Sequence, residues 1–197
     1  MWRTSKPLCF KAGGEVCHVV NKKETCYSSY CGDLAPVLLI LNAKIVLHGK
    51  ENPKEISMEN LFSGNGKAPL NLTPGQILKE IIIPSESVKG VCCYEKLANR
   101  ESIDFPILGT AFWASAQNRE YRVAFTAVEQ KPLRGQAIES FLKGNYLTKE
   151  TLDQACDLAE KAAGPVRTSI YSPAYKRKMM GRQLRSALDK ATGRSIR

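Results

Sequence analysis

The sequence predicts an α+β protein, with its strands first and its helices last. Segments 91–97, 107–116 and 121–127 are apolar or alternating and are joined by short polar turns, the pattern of an antiparallel meander. The residues that follow switch to helical periodicity. Ahead of both, the polar stretch Ser85 to Gly90 sets off an earlier group of shorter strands. Strands followed by helices make an α+β domain.

Taken in order, Asp33 reads as the N-cap of a helix from Leu34 to Leu41, with Pro36 in its first turn and Asn42 at its end. Strands are expected at Ala43 to His48 and at Glu55 to Met58, with a turn at Gly49 to Pro53 between them. Glu59 to Gly64 reads as a helical turn stopped by glycine, and Gly64 to Pro69 as a surface loop. Its Gly-x-Gly lacks the Lys-Ser/Thr helix start of a phosphate loop. Gln76 to Ile83 has the β-branched content of a buried strand and is terminated by Pro84. After the meander come three helices. The first spans Leu133 to Leu142. The second, capped by Thr148, places Leu152, Ala155, Cys156, Ala159, Ala162 and Ala163 on one face. The third runs from about Pro173 to Ala191 and turns Met180, Leu184, Ala187 and Leu188 inward, so it should dock by that face with its Lys and Arg outward.

At 197 residues and 43% hydrophobic content the chain can fill one large core or two small ones. No apolar run approaches the roughly 18 residues of a membrane span, so a cytoplasmic protein without a membrane segment is expected. The net charge of +10 is concentrated at the C-terminus, where Tyr175 to Arg197 carries eight Lys/Arg against Asp189 alone. Nucleic-acid modules interleave aromatics with basic residues, whereas Tyr175 is the only aromatic of this tail, so no nucleic-acid partner is expected. The alternative is a non-catalytic binding module whose basic helix contacts nucleic acid or an acidic partner. Two histidines and no Ser-His-Asp or paired-carboxylate pattern leave acid–base and covalent catalysis without residues, so any enzymatic chemistry would be carried by cofactors.

Four of the seven cysteines, Cys9, Cys17, Cys26 and Cys31, crowd into one Gly- and Lys-rich segment that also holds Gly13, Gly14 and His18. Such density points to cross-linking or metal rather than to core packing. A disulfide framework is disfavoured, because the N-terminus lacks an apolar leader and seven cysteines cannot all pair. The intervals of seven, eight and four residues are wider than common zinc pairs or ferredoxin runs, which leaves zinc, an iron–sulfur cluster and loose thiols all open. Cys92, Cys93 and Cys156 lie in expected strands and helices and read as core fillers.

The run Cys9-Phe-Lys-Ala-Gly-Gly-Glu-Val-Cys17-His-Val-Val, a Lys-rich turn, Cys26-Tyr and Gly32-Asp33-Leu34-Ala35-Pro36 resembles the flavoprotein subunits of the molybdenum hydroxylase family, the 4-hydroxybenzoyl-CoA reductase group above all. Gly75-Gln-Ile-Leu-Lys-Glu-Ile-Ile-Ile-Pro84 and Tyr94-Glu-Lys96-Leu-Ala-Asn-Arg100 are similar to later motifs of that family, and the likeness extends to about Lys190. The resemblance implies a partial second lobe of a PCMH-type FAD-binding domain followed by a CO-dehydrogenase-flavoprotein-like C-terminal domain of three antiparallel strands and three helices. The expected divisions are a cysteine-rich loop at 1–32, the rest of the FAD-binding domain at 33–87 and the C-terminal domain at 88–197. It further implies FAD beside Asp33, Leu78 and Lys96. A [4Fe-4S] cluster would be bound through Cys9, Cys17 and Cys26, with a first ligand before Trp2 or with Cys31 in its place. The implied activity is electron relay, through a [2Fe-2S] subunit, with a separate molybdenum subunit acting on an aromatic acyl-CoA. The family's pyrophosphate-cradling glycines would precede the cysteine segment, so the chain is expected to be N-terminally truncated and inactive alone.

Overall fold

The computed structural model describes residues 5–20, 25–50, 52–101, 103–115, 117–167, 170–191 and 193. The Lys-rich turn at Lys22 and Lys23, Ala116 at the end of an expected strand, and residues 194–197 of the basic tail lie outside them. Lys44–His48 (β1), Lys54–Ser57 (β2) and Ile77–Ile82 (β3) form an antiparallel sheet of order β2-β1-β3. Val91–Leu97 (β4), Leu108–Ser115 (β5), Glu120–Thr126 (β6) and Leu133–Arg134 (β7) form a second antiparallel sheet in sequential order. The helices are Leu34–Ile40 (α1), Gln136–Leu142 (α2), Lys149–Lys161 (α3) and Pro173–Ala191 (α4). The expected α+β class is what the chain adopts.

The second sheet is covered on both faces, which explains why β5 and β6 are buried almost without interruption. Phe112, Val123 and Phe125 point toward α2, α3 and α4, where Leu142, Leu152, Ala155, Met180, Leu184 and Leu188 meet them in one core. Met180, Leu184 and Leu188 are fully buried, so the basic helix docks by the face its periodicity specified. Small residues serve the opposite face. Ala111 and Ala124, with Trp113, pack against Ala35, Leu38, Leu39 and Ile40 of α1. Thr148 caps α3 as its sequence demands, accepting from the Thr151 amide.

A seven-residue helix cannot persist on its own. The second sheet stabilises the C-terminal end of α1 by satisfying three consecutive carbonyls there. Arg134 Nη1 donates to Leu39 O at 2.9 Å, Arg122 Nη1 to Ile40 O at 3.1 Å and Ser87 Oγ to Leu41 O at 2.6 Å. Arg122 is itself buried, lies over the Trp113 ring at 3.9 Å, and also reaches Ser87 Oγ and Glu120. The Trp113 indole donates to Ser87 O at 2.8 Å, and a Cβ on Gly90 would sit 2.2 Å from that indole, so only glycine fits there. The connector between the two sheets is therefore clamped from both sides.

Three expectations fail in detail. Leu133 begins β7, not a helix: its pairing with Phe125 covers the edge of β6, and α2 starts only after Gly135, whose amide bonds Val123 O. Gln76 to Ile83 forms a strand as expected, but it is not buried, since every residue of β3 is exposed and Ile77 reaches 61%. Its apolar content belongs to an edge that nothing among the described residues covers. Cys92 is exposed on the edge strand β4 and fills no core, Cys93 is half-buried against the core cluster, and Cys156 is half-buried on α3 outside it.

Replacing Arg122 with Met should lower the unfolding free energy by about 2–4 kcal/mol, because it strands the Ile40 carbonyl and Ser87 hydroxyl in a buried joint. Urea unfolding read by Trp fluorescence checks this, and Arg185→Met, which breaks partly exposed pairs with Asp153 and Asp189, should cost about 1 kcal/mol or less.

Candidate functional site

The chain entering α1 is stitched to the end of β6. Tyr30 N–H donates to Glu129 O at 2.9 Å, and Tyr30 O accepts from Ala127 N–H at 2.8 Å and Thr126 Oγ1 at 3.1 Å. This places Asp33 over β4. Its backbone is already helical and its carboxylate makes no capping bond, contrary to the N-cap expected of it. The carboxylate turns instead to the other sheet, where Oδ1 accepts from the Tyr94 hydroxyl at 2.7 Å and Oδ2 from the Lys96 ammonium at 2.8 Å. Lys96 Nζ also donates to Asp104 O at 2.6 Å. Burial, and then the hydrogen bond and negative charge of Asp33, push the Tyr94 phenol well above its ordinary range.

Beside this cluster opens a cavity of about 600 Å³, whose wall includes Asp104, Phe105, Asn99, Cys31, Arg167 and Lys176. Lys176 is 2% exposed and donates to Ala127 O at 3.2 Å, and removal from water lowers its ammonium below the usual lysine range. Burial raises the Cys31 thiol, with Lys176 opposing. The donor set matches the polar edge of a ring cofactor. Asp33 accepts and Lys96 donates, and Lys96 retains one N–H beyond its two bonds.

Of the residues expected at the cofactor, the structure unites Asp33 and Lys96. Leu78 remains on β3 opposite Leu47, is 40% exposed, and belongs neither to the cluster nor to the cavity wall. Tyr94 was missed. The signal was present, since residues two apart on a strand share a face and Tyr94 therefore accompanies Lys96. Lys176 was missed although it stands four residues before Met180 on the stripe of Met180, Leu184 and Leu188, because its charge counted for the outward face.

The cysteines are neighbours by backbone. Cys9 bridges Val16, next to Cys17, and the Tyr27 amide, next to Cys26, donates to Cys17 Sγ at 3.4 Å. Burial raises the Cys17 thiol, but the backbone amides of Tyr27, Val19 and Val20 outweigh it and bring the thiol below its ordinary range. Cys17 and Cys26 are buried. Among the described residues, however, no three His, Cys, Asp or Glu side chains converge as a metal site, so in this arrangement Cys9, Cys17 and Cys26 do not fit a cluster. Cys31 sits apart on the cavity wall, fixed through its neighbour Tyr30. His18 bonds Pro7 O. Among the described residues, no helix is long and apolar enough to cross a membrane.

Residues 12–86 match the FAD binding domain in molybdopterin dehydrogenase, and residues 93–191 match the CO dehydrogenase flavoprotein C-terminal domain. The chain belongs to this family of molybdopterin-dehydrogenase flavoproteins. Over 166 residues it is 26% identical to the carbon monoxide dehydrogenase medium chain of Afipia carboxidovorans, covering 83% of this chain and 57% of that protein. It is 24% identical over 162 residues to the nicotinate dehydrogenase FAD-subunit of Eubacterium barkeri, covering 76% and 52%. Carbon monoxide dehydrogenase from Hydrogenophaga pseudoflava superposes with a TM-score of 0.74 at 26% identity, covering 84% of this chain and 57% of that one. The chain thus spans little more than half the length of these relatives.

Alkaline absorbance titration should find one phenol, that of Tyr94, ionising far above the others. Asp33→Asn should bring it down, because the change removes the anion that opposes phenolate formation. An unchanged titration would place the Tyr94 hydroxyl elsewhere.

Proposed function

We propose that the chain is the electron-transferring flavoprotein part of a cytoplasmic molybdenum-containing oxidoreductase, working with a separate molybdenum subunit through a [2Fe-2S] subunit. The observation that carries this is the carboxylate of Asp33, from the FAD-binding region, held by Tyr94 and Lys96 of the C-terminal domain beside an open cavity. Bound FAD would supply the redox chemistry. The chain's own residues would supply position and charge. Asp33 keeps lone pairs for a ring N–H or ribityl hydroxyl. Lys96 holds a positive charge where negative charge grows on reduction, which raises the potential of whatever ring lies against it. Leu78, apart from this cluster on β3, would reach the same ligand only if the ligand extended along the first sheet, as the family resemblance implies.

The resemblance of the cysteine segment to the 4-hydroxybenzoyl-CoA reductase group supports a finer reading, with an aromatic acyl-CoA as the substrate of the whole enzyme and a [4Fe-4S] cluster on Cys9, Cys17 and Cys26. The amide directed at Cys17 Sγ favours it, because backbone N–H donors stabilise ligating thiolates. Loading the cluster would require the segment to rearrange. A fourth ligand from outside these residues suits it better than Cys31, whose neighbour Tyr30 is pinned to β6.

The purified chain should retain FAD weakly or not at all, since the resemblance places the pyrophosphate-binding glycines outside it. Stoichiometric yellow flavin surviving gel filtration would overturn that placement. Anaerobic reconstitution with iron and sulfide should give broad visible absorbance that is lost in Cys9→Ala, Cys17→Ala and Cys26→Ala and largely kept in Cys31→Ala. If the wild-type chain takes up no iron, or all three variants still do, the cluster assignment is wrong.

A further inference from the structure

We propose that Tyr94 is the positioning residue of this site. By occupying one oxygen of Asp33 it confines Lys96 to the other, and so fixes where the ammonium sits. The pair of Lys96 with Asp33 is partly exposed on both sides, and such a contact is too weak to hold a lysine head on its flexible stem. Alone, the ammonium could rotate between the two oxygens or share both. The Tyr94 hydroxyl at 2.7 Å from Oδ1 fixes the rotation of the carboxylate and draws charge from that oxygen, so that Oδ2 is the better acceptor for Lys96 at 2.8 Å, and Asp104 O at 2.6 Å supplies the second fixed acceptor.

The backbone beneath is registered for this purpose. Tyr94 pairs with Ala111 and Lys96 with Gly109, so both side chains rise from one face of β4. Gly109 is what lets the phenol lie across the neighbouring strand. A Cβ there would stand 2.3 Å from the Tyr94 hydroxyl oxygen, 3.0 Å from its ring carbon and 2.7 Å from Thr126 Cγ2. A glycine inside a central strand weakens the strand, and here it marks a close approach.

The positioning is a property of the chain itself, and only its redox consequence rests on the flavin reading. The test uses the full chain labelled with ¹⁵N-lysine, in which a Lys96 ammonium held by two acceptors should give a slowly exchanging side-chain signal. Tyr94→Phe, which keeps the ring and loses only the hydroxyl, should shift that signal and speed its exchange several-fold. Gly109→Ala, which keeps the hydroxyl but drives it off Asp33, should do the same. Tyr175→Phe, in the Tyr171–Tyr175 stack, should change nothing. A Lys96 signal unaltered in Tyr94→Phe overturns the proposal, and should Gly109→Ala not fold, Tyr94→Phe alone decides. In the FAD-loaded assembly Tyr94→Phe should lower the flavin midpoint potential in the same direction as Lys96→Met and by less. If Lys96→Met leaves the potential unmoved, the flavin reading fails, while the ammonium signal still decides the role of Tyr94.

Discussion

Three adjacent carbonyls at the end of a short helix hold this molecule in one piece. Ile40 of α1 and Leu41 just beyond it carry carbonyls with no partner in the local backbone, Leu39 O accepts only from the turn that follows, and Arg134, Arg122 and Ser87 bond Leu39, Ile40 and Leu41 in turn. Two of the donors are cations, which also suit the negative end of the helix. Because Arg122 and Arg134 rise from neighbouring strands of the second sheet, and Ser87 from the connector, α1 becomes part of that sheet's outer face. Among the described residues, every buried side-chain nitrogen and oxygen has a partner, so this polar joint carries no desolvation penalty left unmet.

The site follows from that joint. Once the far end of α1 is fixed, Asp33 at its near end has little freedom, and the stitching of Tyr30 to β6 removes what remains. The carboxylate then meets Tyr94 and Lys96 from residues more than sixty positions away. Parts of two sequence-distant units thus build one hydrogen-bonding edge beside the cavity, the arrangement expected where a ligand lies between domains.

Much of the fold was legible in the sequence because its signals are local. Thr148, the Leu152, Ala155 and Ala159 face of α3, the inward face of α4 and the apolar runs of β5 and β6 each act over a few residues, and each appears where it was read. What was not legible depended on distant partners. Asp33 looks like an N-cap because a short carboxylate before Leu-Ala-Pro usually is one, and only the approach of β4 diverts it. Leu133 and Arg134 look helical until Phe125 needs a neighbour. The β-branched run of β3 reads as buried because composition records how apolar a strand is and not whether anything lies against it. At the site, Asp33 and Lys96 came from resemblance to a family, whereas Tyr94 and Gly109 needed coordinates, since their roles are set by a contact across two strands. The cysteine segment reverses this relation: its spacing left three chemistries open, its resemblance to a family was specific, and the folded arrangement leaves the three thiols as neighbours without a common centre.

The wet, apolar strand β3 bears on how the chain comes apart. With both faces in solvent it gains little from burial, and it is joined to the rest through β1 alone. The second sheet is packed on both sides, and on one of them α1 and the buried face of β1 share a core with it. Loss of structure should therefore begin at β3, which can open while β1, whose Ile45 and Leu47 share a core with α1 and the four-stranded sheet, stays closed. Amide protons of residues 77–82 would then exchange through openings far smaller in free energy than those of β5 and β6.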